Sequence, residues 1–283
     1  TLFEEYYGTL EERVERCLYM IESGETSEHP GDEPDDDSSV LDRGEYMDEL
    51  RQLQSELNKL VEDVAKNKRR VAIIFEGRDS AGKGSTIKRF IHYMNPKYYR
   101  IVTKGIPTKE EMQGENWFKR YEADMPKEGE IVFFDRSYYG MSLVNPTMGY
   151  ASEEQYRYFM GHVNGFEEKL VDEGITLIKF WFSISKEKQL QRFELRKNSP
   201  LKYWKYSPND EKSLDKWDLF TKYKEQCLSK TSTKFAPWVI VQSNDKRLSQ
   251  LNSIRYVLNK MDYEGKDDTK IGNTYPDVIY EVK

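Results

Sequence analysis

One segment constrains this chain more than any other. An unbroken apolar run, Val71-Ala72-Ile73-Ile74-Phe75, leads within two residues into Gly77-Arg78-Asp79-Ser80-Ala81-Gly82-Lys83-Gly84-Ser85, and a helical stretch follows. The run suits a strand buried on both faces. The glycine-rich segment fits G-x-x-x-x-G-K in the strand–loop–helix setting that gives the pattern its meaning. Glycines let backbone N–H groups turn inward around a phosphate, the helix N-terminus adds partial positive charge, and Lys83 supplies a point charge. Gly77, Ser80, Ala81, Gly82, Lys83, Gly84 and Ser85 are therefore the expected phosphate-binding residues.

One position departs from the usual motif. Gly84 stands where a Ser or Thr normally holds magnesium, and Ser85 comes one residue later, rotated by about 100° on a helix. A metal needs another anchor. Asp79 is a candidate, because a carboxylate facing bound phosphates is repelled unless a cation bridges them; capping of the loop is its other reading. A second apolar run, Glu130-Ile131-Val132-Phe133-Phe134, ends in Asp135-Arg136-Ser137. This is a Walker-B-like position at the carboxyl edge of a sheet, where open α/β sheets bind ligands. Asp135 there suits magnesium or its water, and Arg136 suits the charge of a transferring phosphoryl group.

Further strands are expected at 100–104, 176–183 and 237–242. Helices are expected at 44–67, 83–94, 108–123, 152–173, 185–196, 213–229 and 246–260. Alternation of this kind predicts an α/β fold of three layers, with a parallel central sheet covered by helices on both faces. Residues 186–234 hold 13 Lys/Arg against 7 Asp/Glu. Arg192 and Arg196 are four apart and share a helix face, which predicts a basic helical lid closing over phosphates.

Charge is divided along the chain. Residues 1–50 carry 17 acidic and 3 basic side chains, whereas the remainder carries 33 and 41. A net −14 extension is thus joined to a net +8 body, and a basic body suits a polyanionic ligand. Apolar positions at helical spacing predict a helix over 1–22, packed on the core or on a partner subunit. Residues 23–43 are acidic and nearly without apolar groups until the next helix, as in a flexible linker; Asp35, Asp36 and Asp37 are a minor metal-binding alternative there. The chain has no 18-residue apolar stretch, and its opening lacks the basic and apolar regions of a secretory signal, so a cytoplasmic protein without membrane contact is expected. Cys17 and Cys227, with His29, His92 and His162, make no zinc pattern, and reduced thiols are expected.

Taken together, these residues resemble the polyphosphate kinase type 2 family, P-loop kinases of thymidylate-kinase-like fold. The resemblance spans about residues 46–263. It is carried by Leu53-Gln54-Ser55-Glu56-Leu57, FEGRDSAGKGS (75–85), IKRFIHYMNP (87–96), IPTKEE (106–111), WFKRYEADMPKEGEIVFFDRSYY (117–139), LKYWKYSPND (201–210) and APWVIVQSNDKRLSQLNSIRYVL (236–258). It implies a domain over 44–263 with a lid at about 186–212, preceded by the N-terminal helix and linker and followed by a tail, 264–283. It also implies reversible phosphoryl transfer between inorganic polyphosphate and a nucleotide with Mg2+. Asp79 and Asp135 would be the metal carboxylates, Lys83 and Arg136 would grip the phosphoryl group, and Arg196 would stabilise it from the lid. Lys202 and Lys205 would touch polyphosphate or the closed lid. Nucleoside diphosphates are the expected acceptors, with AMP as the alternative, and a homodimer or homotetramer is the expected assembly.

The chain departs from the family where Met141 replaces an Arg and Asn145 a Glu. Loss of two charged groups near the active edge leaves a catalytically impaired polyphosphate-binding homologue as another reading. A conventional ATP-dependent nucleoside monophosphate kinase is permitted by the phosphate loop alone. The sequence shows no motif for specific nucleic-acid recognition.

Overall fold

The computed structural model describes residues 39–198 and 208–282. The helix expected over 1–22, the greater part of the acidic linker, and Lys202 and Lys205 lie outside the described residues.

Six strands form one sheet: β1 (Arg70–Gly77), β2 (Tyr99–Val102), β3 (Glu130–Asp135), β4 (Ile175–Ser183), β5 (Trp238–Gln242) and β6 (Ile279–Glu281). Their order is β2-β3-β1-β4-β5-β6. The first five run parallel, with β1 at the centre between β3 and β4. The helices are α1 (Arg43–Lys66), α2 (Lys83–Ile91), α3 (Glu115–Glu122), α4 (Val144–Met148), α5 (Glu153–Asp172), α6 (Lys186–Lys197), α7 (Pro208–Asp215), α8 (Trp217–Thr231), α9 (Lys246–Lys260) and α10 (Asp268–Ile271).

Strand periodicity divides the core between two faces. On one face Val71, Ile73 and Phe75 pack with the apolar stripes of α1 and α9, including Leu53, Leu57 and Ile254. On the other, Ala72 and Ile74 pack with Trp117 of α3, Phe159 of α5 and Phe220 of α8. Both faces of β1 are covered, so the unbroken apolar run in the sequence and the helix–sheet–helix layering have one cause.

Four stretches differ from expectation. The tail read at 264–283 is part of the fold: α10 is followed by β6, which pairs antiparallel with β5 through Val239–Glu281, Ile240–Tyr280 and Val241–Ile279. The sheet is therefore mixed. A strand of three residues is too short for alternation to reveal. The helix expected at 108–123 occupies only Glu115–Glu122, because Gly114 at φ 45° breaks it. Thr108 and Glu111 instead close a turn, with each backbone N–H donated to the other's side chain. The helix expected at 213–229 is two, α7 and α8. α4 lies in a stretch for which no element was expected.

Candidate active site

The carboxyl ends of β1, β3, β4 and β5 converge on the glycine-rich loop. Gly77 closes β1 at φ 146°, and a Cβ there would lie 2.5 Å from the carbonyl oxygen of Phe182 on β4, so only glycine fits. Gly82 at φ 100° begins α2. Ser80 also has positive φ, 61°, which is costly for a residue with a Cβ.

The loop is braced from outside by its carbonyl oxygens. Asp79 O accepts from Gln189 Nε2 at 2.8 Å, Ser80 O from Arg192 Nη1 at 2.9 Å, and Ala81 O from Ser243 Oγ at 2.5 Å. With these carbonyls turned into protein donors, the opposite, amide side of the loop is left for an anion. Ser80 Oγ is buried and has no hydrogen-bond partner among the described residues. Buried hydroxyls are normally satisfied, so this one marks a place for a ligand oxygen.

Two residues expected at the phosphates have protein partners in this geometry. Arg192 is buried, and its guanidinium also donates to the carbonyls of Ser243 (2.7 Å) and Asn244 (3.0 Å). It is a brace joining α6, the loop and the end of β5, with those donors spent on carbonyls. Ser85 Oγ donates to Gly82 O at 2.9 Å and closes the first turn of its own helix.

Four other expected residues do come together. Lys83 Nζ folds back over the loop and donates to the carbonyls of Gly77 (3.0 Å) and Arg78 (2.9 Å). Burial, helped by the neighbouring Arg136 charge, pushes this ammonium down to about 8. Arg136 leaves β3 at φ 66° and ion-pairs with Asp79. Burial opposes ionisation of Asp79, but Arg136 and then Lys83 outweigh it and hold the carboxyl below its usual range. Asp79 in turn raises Arg136. Asp135 Oδ2 lies 3.5 Å from where a Cβ on Gly84 would sit. Its carboxylate thus lies beside the position that a side chain at residue 84 would take. Arg196, in the last turn of α6, is half-buried and adds to the positive field on Asp79.

These carboxylates bear on a metal. Among the described residues no group of three or more His, Cys, Asp or Glu is placed to hold an ion. Two carboxylates beside a phosphate loop suit magnesium, which keeps several waters and takes substrate oxygens as ligands.

Other residues of the site were not legible in the sequence. Arg78 stacks over Trp217, 3.5 Å from the ring centroid, and donates to Trp217 O and Thr221 Oγ1, tying the loop to α8. Burial lowers its guanidinium to about 10. Glu76 is a buried carboxylate that accepts from Ser137. Ser243 stands at the end of β5, where the convergence of strand ends on ligands was a usable signal. Beneath the turn after Arg136, Tyr138 and Tyr139 donate to Glu167 Oε1 at 2.9 and 2.7 Å, and Glu167 pairs with Lys179 at 2.6 Å in full burial.

Met141 and Asn145 belong to this packing. Met141 is 1% exposed within the core that contains Trp117 and Phe159. Asn145 is buried, and its Nδ2 lacks a partner among the described residues. Both positions, where the resemblance implies charged residues, are thus buried in this structure.

No helix among the described residues is long and apolar enough to cross a membrane. Comparison with known proteins agrees with the geometry. The family model of Polyphosphate kinase 2 (PPK2) matches residues 40–269. A GDP-polyphosphate phosphotransferase of Mycolicibacterium smegmatis is 43% identical over 239 residues, covering 84% of each chain. An ADP-polyphosphate phosphotransferase of Rhizobium meliloti is 45% identical over 232 residues, 82% of this chain and 77% of the relative. The crystal structure of polyphosphate kinase 2 from Arthrobacter aurescens TC1 superposes with a TM-score of 0.73 at 27% identity, covering 81% of this chain and 84% of that one. With the phosphate loop, the Asp135-Arg136 strand end and the parallel order of β1 to β5 in place, the chain belongs to the polyphosphate kinase 2 family.

Proposed function

We propose that this chain transfers a phosphoryl group reversibly between inorganic polyphosphate and a nucleoside diphosphate, forming ATP or GTP from ADP or GDP. The observation that carries the reading is the convergence of Lys83, Arg136, Asp79 and Asp135 on one phosphate loop. Relatives whose names specify GDP and ADP support the diphosphate as acceptor.

The chemistry needs charge and position more than covalent help. The terminal phosphoanhydride P–O bond of the polymer breaks as a terminal oxygen of the nucleotide bonds to the same phosphorus. Lys83 and Arg136 neutralise the non-bridging oxygens, and Arg196 adds charge from α6. The amide side of the loop holds donor phosphates in line with the acceptor. No side-chain nucleophile is required. Asp79 and Asp135 would hold Mg2+, which supplies further positive charge to the phosphate oxygens.

The reading places the enzyme in the cytoplasm, where nucleotides are made and used. It includes assembly as a homodimer or homotetramer. Ile101 on the edge strand β2 and the adjacent Ile106 are exposed apolar side chains suited to a subunit contact. Light scattering of the purified chain tests the assembly. An acceptor panel tests the reaction. With magnesium and long-chain polyphosphate, ADP and GDP should yield triphosphates faster than AMP yields ADP. The reverse order would move the chain to monophosphate substrates.

A further inference from the structure

Glu76 is the last side chain of β1 before the loop turns, and it is 1% exposed. Its Oε1 accepts two hydrogen bonds from Ser137, one from the amide at 2.7 Å and one from the hydroxyl at 2.9 Å. Ser137 Oγ in turn accepts from Tyr139 N at 3.2 Å and starts the short turn Tyr138–Met141. The residue just before Ser137 is Arg136, whose backbone is left-handed at φ 66°. Its own N–H donates to Phe75 O at 3.1 Å. The end of β1 therefore grips two successive residues, Arg136 by backbone and Ser137 by the Glu76 carboxylate.

A left-handed backbone at an arginine persists only where its surroundings over-determine it. A buried carboxylate likewise needs a reason to be there. Glu76 is not part of any three-ligand metal group among the described residues. Burial pushes the Glu76 carboxyl above its usual range, and the positive charge of Arg136, the two hydrogen bonds from Ser137 and the charge of Lys83 oppose that rise without cancelling it. These observations meet in one role.

We propose that Glu76 is a positioning residue for phosphoryl transfer. By holding the amide and hydroxyl of Ser137, it keeps Arg136 in the left-handed conformation that sets the guanidinium beside Asp79 at the phosphate loop. The inference rests on the reading of Arg136 as the phosphoryl clamp, and the experiment separates the two.

Steady-state kinetics with polyphosphate and GDP would be measured for Glu76→Ala, Glu76→Gln, Ser137→Ala, Arg136→Ala and the double variant Glu76→Ala/Arg136→Ala, with thermal midpoints alongside. A misplaced clamp costs on the order of 100-fold in rate. Glu76→Ala should lose about that factor in kcat, with little change in KM for polyphosphate. Glu76→Gln, which keeps a carbonyl acceptor for Ser137, should recover most of the loss. Ser137→Ala, which keeps the amide bond and loses the hydroxyl, should fall between them. Adding Glu76→Ala to Arg136→Ala should cost little more, because the group being positioned is already gone. Additive losses in the double variant, or equal losses in Gln and Ala, would overturn the proposal. So would a folded Glu76→Ala with unchanged kcat. Should Glu76→Ala fail to fold, the Gln and Ser137→Ala variants carry the same test, and wild-type KM with wild-type kcat in Ser137→Ala would overturn it. A fully active Arg136→Ala would instead sink the clamp reading itself.

Discussion

Arg136 and Asp79, 57 positions apart in sequence, are ion-paired at the carboxyl edge of the sheet. One leaves β3 and the other sits in the loop after β1, so the pair ties together the two strand ends on which the chemistry depends. The folded state holds Asp79 below its usual carboxylate range. A depressed carboxyl contributes stability that is fully present above the unfolded value, 3.8, and is lost as pH falls through the lower folded value. Asp79→Asn should therefore flatten the acid limb of a plot of thermal midpoint against pH below about pH 4. An acid limb unchanged from wild type would count against the pair.

Lys83 gives a pH dependence of opposite sense. Burial brings its ammonium down to about 8, so the free enzyme loses this charge as pH rises through that value. kcat/KM for polyphosphate, which reports the free enzyme, should decline above about pH 8. Bound phosphate restores the ammonium, so kcat should hold to higher pH. Between pH 8 and 10.5 the unfolded chain binds more protons at this residue, so its effect on stability improves with pH as activity falls. Lys83→Ala should cost about 100- to 1,000-fold in kcat. A flat kcat/KM profile from pH 7 to 10 would contradict the assignment.

Bracing by Arg192 and contact with polyphosphate predict different behaviour. Arg192→Met strips hydrogen bonds from the carbonyls of Ser80, Ser243 and Asn244. Hydrogen bonds to charged groups are worth roughly 1.5–3 kcal/mol each, so a loss of about 3 kcal/mol or more is expected in urea unfolding. The salt dependence of polyphosphate binding should stay as in wild type, because no phosphate contact has been removed. A weaker salt dependence with unchanged stability would return Arg192 to the ligand.

The buried Glu167–Lys179 pair supports the turn after Arg136 by holding Tyr138 and Tyr139. Lys179→Met alone leaves a charge without its counterion and should cost ~3–5 kcal/mol. Lys179→Met combined with Glu167→Gln should recover a good part of that in chemical denaturation. A double-variant loss equal to the sum of the Lys179→Met and Glu167→Gln losses would show that the charges are not coupled.

Much of this architecture was legible because periodicity reports burial. The apolar runs at 71–75 and 131–134 mark strands covered on both faces, and the loop between β1 and α2 carries its own geometry in Gly77 and Gly82. Spacing also tells which residues share a helix face, as with Arg192 and Arg196. It does not tell which partners occupy them, and Arg192 is committed to carbonyls that lie 51 to 112 positions away. Glu76 was missed for a related reason. A single acid at the end of an apolar run reads as the edge of a loop, and only the approach of Ser137 shows what it holds. Met141 and Asn145 read as lost active-site charges until the fold placed them in the packing.

Phosphorus NMR of one reaction tests the central claim most directly. Purified chain, magnesium, GDP or ADP, and either polyphosphate or ATP as donor would be followed for new triphosphate resonances, with Asp135→Asn as the control. Triphosphate growing as the interior polyphosphate resonance declines, and lost in the variant, is the predicted result. GTP formed from GDP with ATP as donor, and no triphosphate from polyphosphate, would contradict it.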